Sequence, residues 1–150
     1  LVAGDGDTAA DAASRLVGLG VGLTPSGDDL LVGLLAGLEA AGHPMRDGVA
    51  AAVTTHLGER TTAAGASALR QAARGAYSER LHDVLASLAR TTDDRGGGPN
   101  GDGRDGLARA VVGALAFGET SGSDTLAGLL LAVDVALTPE RQTTHAGAAA

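Results

Sequence analysis

The stretch that decides the fold is GLTPSGDDLLVGLL, Gly22 to Leu35. A threonine, a proline, a serine, a glycine and two aspartates come just before or among the first residues of an apolar run. One capping residue is enough to begin a helix, so this helix start carries more polar groups than a cap requires. The stretch therefore predicts a helix and makes its first turn a candidate binding site.

The same pattern returns later in the chain. The segments SGDDLLVGLL (Ser26 to Leu35) and SGSDTLAGLL (Ser121 to Leu130) share seven of ten residues without a gap. Composition alone would give roughly one match in ten, even in a chain rich in glycine and leucine. The sequence therefore contains an internal pseudo-repeat of a helix start.

Two interpretations of the repeat remain open on the sequence. In the first, Ser26 and Ser121 are N-caps, Asp29 and Asp124 complete capping boxes, and the glycines only let helices pack closely. In the second, the N–H groups and hydroxyls at two helix starts bind an anionic substrate. The substrate-binding residues predicted by this second interpretation are Thr24, Ser26, Gly27, Ser121, Gly122 and Ser123.

A metal ion is part of the binding interpretation. Carboxylates beside an anion would repel it unless Mg²⁺ bridges them, so Asp28, Asp29 and Asp124 are the predicted magnesium ligands. Asp28 has no capping role if Asp29 has it, which leaves Asp28 as the spare carboxylate. The sequence indicates no organic cofactor and does not identify a catalytic residue.

The repeat also predicts how its two copies are arranged. Gly33 and Gly128 would let the two helices cross closely about an approximate two-fold axis. The two helix starts would then face each other across one small polar cleft, with the α-carbons of Asp29 and Asp124 within roughly 15 Å of each other.

Most of the remaining chain has apolar residues at helical spacing, and alternating strand patterns are hard to find. We therefore predict an all-α fold, a single helical domain over residues 1–150 with about six to eight helices. Thr91 to Gly106 is rich in glycine and aspartate and predicts a flexible loop. Its resemblance to a calcium loop fails because Arg104 occupies a ligand position.

Composition excludes several classes of function. The net charge is −7 and the eleven arginines are scattered, which disfavours binding to nucleic acid. The chain has no cysteine and no lysine, so it contains no thiol nucleophile, disulfide or Schiff-base lysine. Its longest apolar stretch, Leu126 to Leu137, is too short to span a membrane. We expect a cytoplasmic protein, and its start at Leu1 suggests the C-terminal part of a longer one.

Three blocks carry a resemblance to a known family: GLGVGLTPSGDDLLVGLLAGL, TTAAGASALRQAARG and GETSGSDTLAGLLLA. Their order and spacing resemble a bacterial family, formerly of unknown function, that includes the AllH-type subunit of oxamate carbamoyltransferase. The sequence departs from the family pattern at Val21, Leu30 and Glu119, where the family usually has proline, an aromatic residue and histidine. The middle block adds Thr61, Thr62 and Ser67 as pocket-lining candidates, although the first turn of a helix explains them as well.

The resemblance implies a subunit that takes part in carbamoyl transfer between oxalurate and phosphate, during anaerobic purine-ureide breakdown. The partners it implies are the other subunits of the enzyme and a small anionic substrate. The alternative is a scaffold subunit without catalytic function, in which the repeated motifs only cap and pack helices.

Overall fold

The computed structural model describes residues 6–93 and 102–138, and within these ranges the chain is helical without a strand. The all-α prediction is therefore confirmed. The eight helices are α1 (Gly6–Leu16), α2 (Ser26–Ala40), α3 (Arg46–Thr54), α4 (Leu57–Arg60), α5 (Ala63–Ala73), α6 (Glu79–Asp93), α7 (Asp102–Leu115) and α8 (Ser121–Leu137).

Helix α2 is the centre of the fold. Its apolar residues are buried almost along its whole length, and Leu31 and Leu35 have no exposed surface. Helices α1, α3, α5 and α6 pack around it, and its most extensive contact is with α8. Burial of a leucine side chain contributes about 1.5–3 kcal/mol, so α2 is the main source of hydrophobic stabilisation.

The crossing of α2 and α8 depends on two glycines, one from each copy of the repeat. A Cβ atom on Gly33 would lie 2.9 Å from the backbone nitrogen of Leu129 and closer still to the carbonyl oxygen of Thr125. A Cβ atom on Gly128 would lie 2.8 Å from the nitrogen of Leu34 and closer still to the carbonyl oxygen of Leu30. This reciprocity confirms the predicted close crossing of the two repeated helices.

The helix ends differ from the sequence prediction in one important place. The predicted loop from Thr91 to Gly106 is too long, because α6 continues to Asp93 and α7 already begins at Asp102. The rest of that loop lies outside the described residues. Before α6, the Ser78 hydroxyl accepts a hydrogen bond from the Leu81 N–H at 3.3 Å, the bond that an N-cap residue makes.

Among the helices of the described ranges, none combines the length and apolar character that a membrane span needs. Helix α8 contains the longest apolar stretch, and its Leu129, Ala132 and Val135 are buried in this fold. The apolar character of this stretch is therefore explained by its packing against α2.

Candidate functional site

The two helix starts meet in the structure. The hydroxyl oxygens of Thr24, just before α2, and Ser121, the first residue of α8, lie 3.1 Å apart and share a hydrogen bond. The crossing at Gly33 and Gly128 holds the helices in this position. The two helix starts therefore meet, as the repeat predicted, while the shared polar cleft and the distance between the α-carbons of Asp29 and Asp124 stay predictions.

The capping boxes predicted for these helices are wrong. Pro25 and Thr120 occupy the N-cap positions, and neither helix has a side-chain capping bond there. Ser26 and Ser121 are instead the first residues of their helices, where a hydroxyl cannot act as the N-cap. Capping therefore does not explain why these two serines belong to the repeat.

Gly27 and Gly122, which were predicted to bind substrate, allow close packing of helices in the structure. A Cβ atom on Gly27 would lie 3.1 Å from the carbonyl carbon of Leu16, at the end of α1. A Cβ atom on Gly122 would lie 3.0 Å from the carbonyl carbon of Ala114, near the end of α7. In both copies the glycine lets the preceding helix end against the first turn of the repeated helix.

The backbone donors of the two first turns are largely engaged within the protein, which weakens the predicted anion site. An anion at a helix start needs free N–H groups directed at it. The engaged donors are Gly27 N to Leu19 O (2.8 Å), Asp28 N and Asp29 N to Pro25 O (2.8 and 3.2 Å), Gly122 N to Phe117 O (3.0 Å) and Asp124 N to Thr120 O (2.9 Å).

Asp28, predicted to be the spare carboxylate, is a structural residue. It is fully buried, and its carboxylate accepts hydrogen bonds from the Gly18 N–H at 2.8 Å and from the Thr61 hydroxyl. Gly65 on α5 leaves room for it, since a Cβ atom there would lie 3.1 Å from Asp28 Cγ. Asp28 therefore ties the α1–α2 loop and the start of α5 to α2.

Asp29 and Asp124 are the carboxylates that remain at the meeting point. Asp29 is only 7% exposed, Asp124 is half-buried, and one oxygen of each, Oδ2, is buried without a hydrogen-bond partner. Buried polar oxygens are nearly always satisfied in folded proteins. Asp29 and Asp124 thus place two unsatisfied oxygens at corresponding positions of the repeat.

The environment of Asp29 makes the charged form of its carboxyl less favourable than it is in water. Burial raises the pKa of the Asp29 carboxyl above its ordinary value, and the charges of Asp124 and Asp28 add to the rise. The hydroxyls of Ser121 and Thr24 act in the opposite direction because they stabilise the carboxylate. Asp29 is therefore an ionisable group whose charge is destabilised by burial, and groups with shifted pKa values are common at functional sites.

The predicted magnesium site does not assemble from its three carboxylates. Asp28 faces Gly18 and Thr61, whereas Asp29 and Asp124 belong to the meeting point of the helices. Within residues 6–93 and 102–138, the acidic and histidine side chains form no group of three that could hold a metal ion. Binding of Mg²⁺ to the remaining pair stays a prediction.

The other predicted residues take separate positions. Ser26 is half-buried, and the exposed Ser123 donates its hydroxyl to the Thr120 carbonyl at 2.7 Å. Thr62 caps α5 by accepting from the Gly65 N–H at 3.0 Å, as the helix-start interpretation predicted. Ser67 accepts a hydrogen bond from the Gln71 side chain on the exposed face of α5. Thr61 supports Asp28, a role that no spacing in the sequence indicated.

We expect Asp29→Asn to raise the melting temperature of the unliganded protein at pH 7. A carboxyl whose pKa is raised in the fold stabilises the fold while protonated, below the unfolded pKa near about 4. That contribution is lost as the pH rises through the raised folded pKa, so the charge opposes folding at pH 7. Melting temperatures of variant and wild type, compared between about pH 4 and pH 8, should diverge as the pH increases.

Asp134→Asn, an exposed change on α8, is the control for this measurement and should show no such divergence. A lower melting temperature for Asp29→Asn across the whole pH range would contradict the assignment of Asp29 as a destabilising charge.

Comparison with known proteins agrees with the resemblance found in the sequence. Residues 16–133 match the sequence model of the family described as oxamate carbamoyltransferase subunit AllH. The match covers most of the chain and includes both copies of the repeat and the residues of the meeting point. No curated protein and no solved structure matches the chain at a significant level.

Proposed function

We propose that this chain, which belongs to the oxamate carbamoyltransferase subunit AllH family, supplies part of the substrate site of such an enzyme. The reaction is carbamoyl transfer between oxalurate and phosphate, in a cytoplasmic complex with other subunits and in purine-ureide breakdown. The site contributed by this chain is the meeting point of α2 and α8, with Thr24, Asp29, Ser121 and Asp124.

The observation that carries this proposal is the pair of unpartnered oxygens on Asp29 and Asp124. An unsatisfied buried polar group costs about 1–3 kcal/mol, and more when it is charged. A motif that served only to pack two helices would gain stability from apolar residues at these positions. Binding sites commonly retain such a cost because the ligand later satisfies the unpartnered acceptors.

The role supported by the geometry is binding and orientation of a substrate. The half-buried hydroxyls of Thr24 and Ser121 and the two carboxylates come from both copies of the repeat, so each copy supplies one side of the site. Positioning of a reactant is itself a large source of rate acceleration. The groups that bind phosphate belong to the rest of the assembly in this proposal, because most of the first-turn backbone donors here are engaged.

A scaffold function is the alternative, and the observation in its favour is the glycine crossing of α2 and α8. The crossing accounts for Gly33, Gly128 and the buried leucines without a ligand. It gives no reason for an aspartate at the fourth position of both copies. The two functions therefore differ in what they predict for Asp29 and Asp124.

The test uses the full-length protein assembled with the subunits encoded beside it. Asp29→Asn and Asp124→Asn are each expected to lower the rate of carbamoyl phosphate formation from oxalurate by about tenfold or more. This matches the loss of a hydrogen bond to a charged group, about 1.5–3 kcal/mol. Assembly, measured by size-exclusion chromatography, should be unchanged.

Asp134→Asn on α8 is the matched control and should retain full activity, because its side chain is exposed. Full activity of both site variants in an intact complex would support the scaffold function instead. A wild-type complex without carbamoyl transfer would contradict the proposed reaction.

A further inference from the structure

We propose that Asp29 and Asp124 together accept hydrogen bonds from the NH₂ of a primary amide, so that the site recognises the carbamoyl end of its substrate. This inference rests on the proposed function and specifies which end of the substrate meets this chain. It differs from the anion site predicted from the sequence.

The two carboxylates define the chemistry of the missing group. An ionised carboxylate only accepts hydrogen bonds, so the ligand must present donors to it. Asp29 is more than nine-tenths buried with its Oδ2 unpartnered, and it lies close enough to Asp124, whose Oδ2 is also unpartnered, for the charge of Asp124 to act on it. One primary amide carries two N–H bonds, which can be directed to two acceptors from different helices.

The hydroxyl pair complements the rest of an amide. In the bond between Thr24 and Ser121, one hydroxyl donates and the other keeps a proton that it can direct elsewhere. That proton is a donor for the amide carbonyl oxygen or for the Asp29 carboxylate. The site thus combines acceptors for an NH₂ group with a donor for a carbonyl oxygen.

The same groups disfavour the anionic end of a substrate. Two adjacent carboxylates repel a phosphate or a second carboxylate, and most of the nearby first-turn N–H groups are bonded to carbonyl oxygens. Within residues 6–93 and 102–138, the arginine side chains that form hydrogen bonds or ion pairs do so with residues outside this site. Those arginines and their partners are Arg15 with Asp11, Arg46 with Glu39, Asp47, Ala72 and Ala73, Arg60 with Ser14, Arg90 with Ser87, and Arg109 with Asp105.

A magnesium ion would also be attracted to the pair but fits it less well. Mg²⁺ demands near-octahedral oxygen coordination, commonly with one or two carboxylates, several waters and substrate phosphates. Asp28, the nearest further carboxylate in the sequence, is committed to Gly18 and Thr61. A neutral NH₂ group needs only the two free acceptors that the structure provides.

Carbamoyl phosphate and acetyl phosphate form a matched pair of probes, since a methyl group in acetyl phosphate replaces the NH₂ of carbamoyl phosphate without a change of charge. We expect the assembled complex to bind carbamoyl phosphate at least about tenfold more tightly than acetyl phosphate in calorimetric titrations. Asp29→Asn and Asp124→Asn should each reduce that preference about tenfold, because an Asn side chain replaces an acceptor with a donor. Asp134→Asn should leave the preference unchanged.

The outcomes separate this inference from the proposed function. If the variants lose carbamoyl transfer but keep the wild-type preference for carbamoyl phosphate over acetyl phosphate, the amide assignment is wrong while the site stands. If they keep full transfer, the proposed function itself fails. A titration with MgCl₂ alone that shows binding in the wild type and none in either variant would overturn the amide assignment in favour of a metal site.

Discussion

Gly33→Ala and Gly128→Ala are each expected to lower the free energy of unfolding by about 3 kcal/mol or more. The added methyl group would meet backbone atoms of the facing helix, Leu129 N at 2.9 Å for Gly33 and Leu34 N at 2.8 Å for Gly128. Backbone cannot rotate away as a flexible side chain can, so α2 and α8 would have to separate. Chemical denaturation followed by circular dichroism measures the loss.

Gly48→Ala in α3 and Gly113→Ala in α7 are matched controls, because a Cβ atom at either position meets nothing within 4 Å. Because both glycines are exposed and helical, each substitution should raise the free energy of unfolding by about 0.5–1 kcal/mol. Equal stability changes at all four positions would mean that helix propensity, and not the crossing, determines the effect of each glycine.

The sequence predicted the crossing because its signal is local and repeated. A glycine at the same position of two otherwise apolar helices, each preceded by serine, glycine and aspartate, marks equivalent surfaces on both. Helices that share such a surface can pack reciprocally, as Gly33 and Gly128 do. The all-α class followed from the same kind of local evidence, the spacing of apolar residues.

The assignment of the aspartates could not be predicted in the same way. Capping rules gave Asp29 a structural role and left Asp28 free, whereas in the structure Asp28 is hydrogen-bonded and Asp29 Oδ2 has no partner. The partners of Asp28 are Gly18 and Thr61, which lie 10 and 33 positions away in the sequence. Only the packing of α1 and α5 against α2 decides which carboxylate is satisfied, and spacing within the motif carries no information about that packing.

The second copy shows why the difference arises. Ser123 occupies the position that corresponds to Asp28, and it is exposed and bonded only to the nearby Thr120 carbonyl. In the first copy, the start of α5 covers the equivalent position and provides the Thr61 hydroxyl and the space at Gly65. The repeat therefore conserves the aspartate that faces the meeting point and varies the one that faces the surrounding helices.

Asp28→Asn is accordingly expected to destabilise the protein by about 3 kcal/mol, whereas the neighbouring Asp29→Asn stabilises it at pH 7. At Asp28 the asparagine amide would place N–H groups against the Gly18 N–H or the Thr61 hydroxyl, in a fully buried position. Loss of hydrogen bonds to a buried charge costs about 1.5–3 kcal/mol each. At Asp29 the same substitution removes the charge of a buried carboxylate whose Oδ2 has no partner.

Urea unfolding of the two variants in one buffer at pH 7 compares their stabilities directly, with Asp134→Asn as the neutral control. Equal destabilisation by both would show that Asp29 is as much a structural residue as Asp28, and would remove the reason for placing a ligand between the two helix starts.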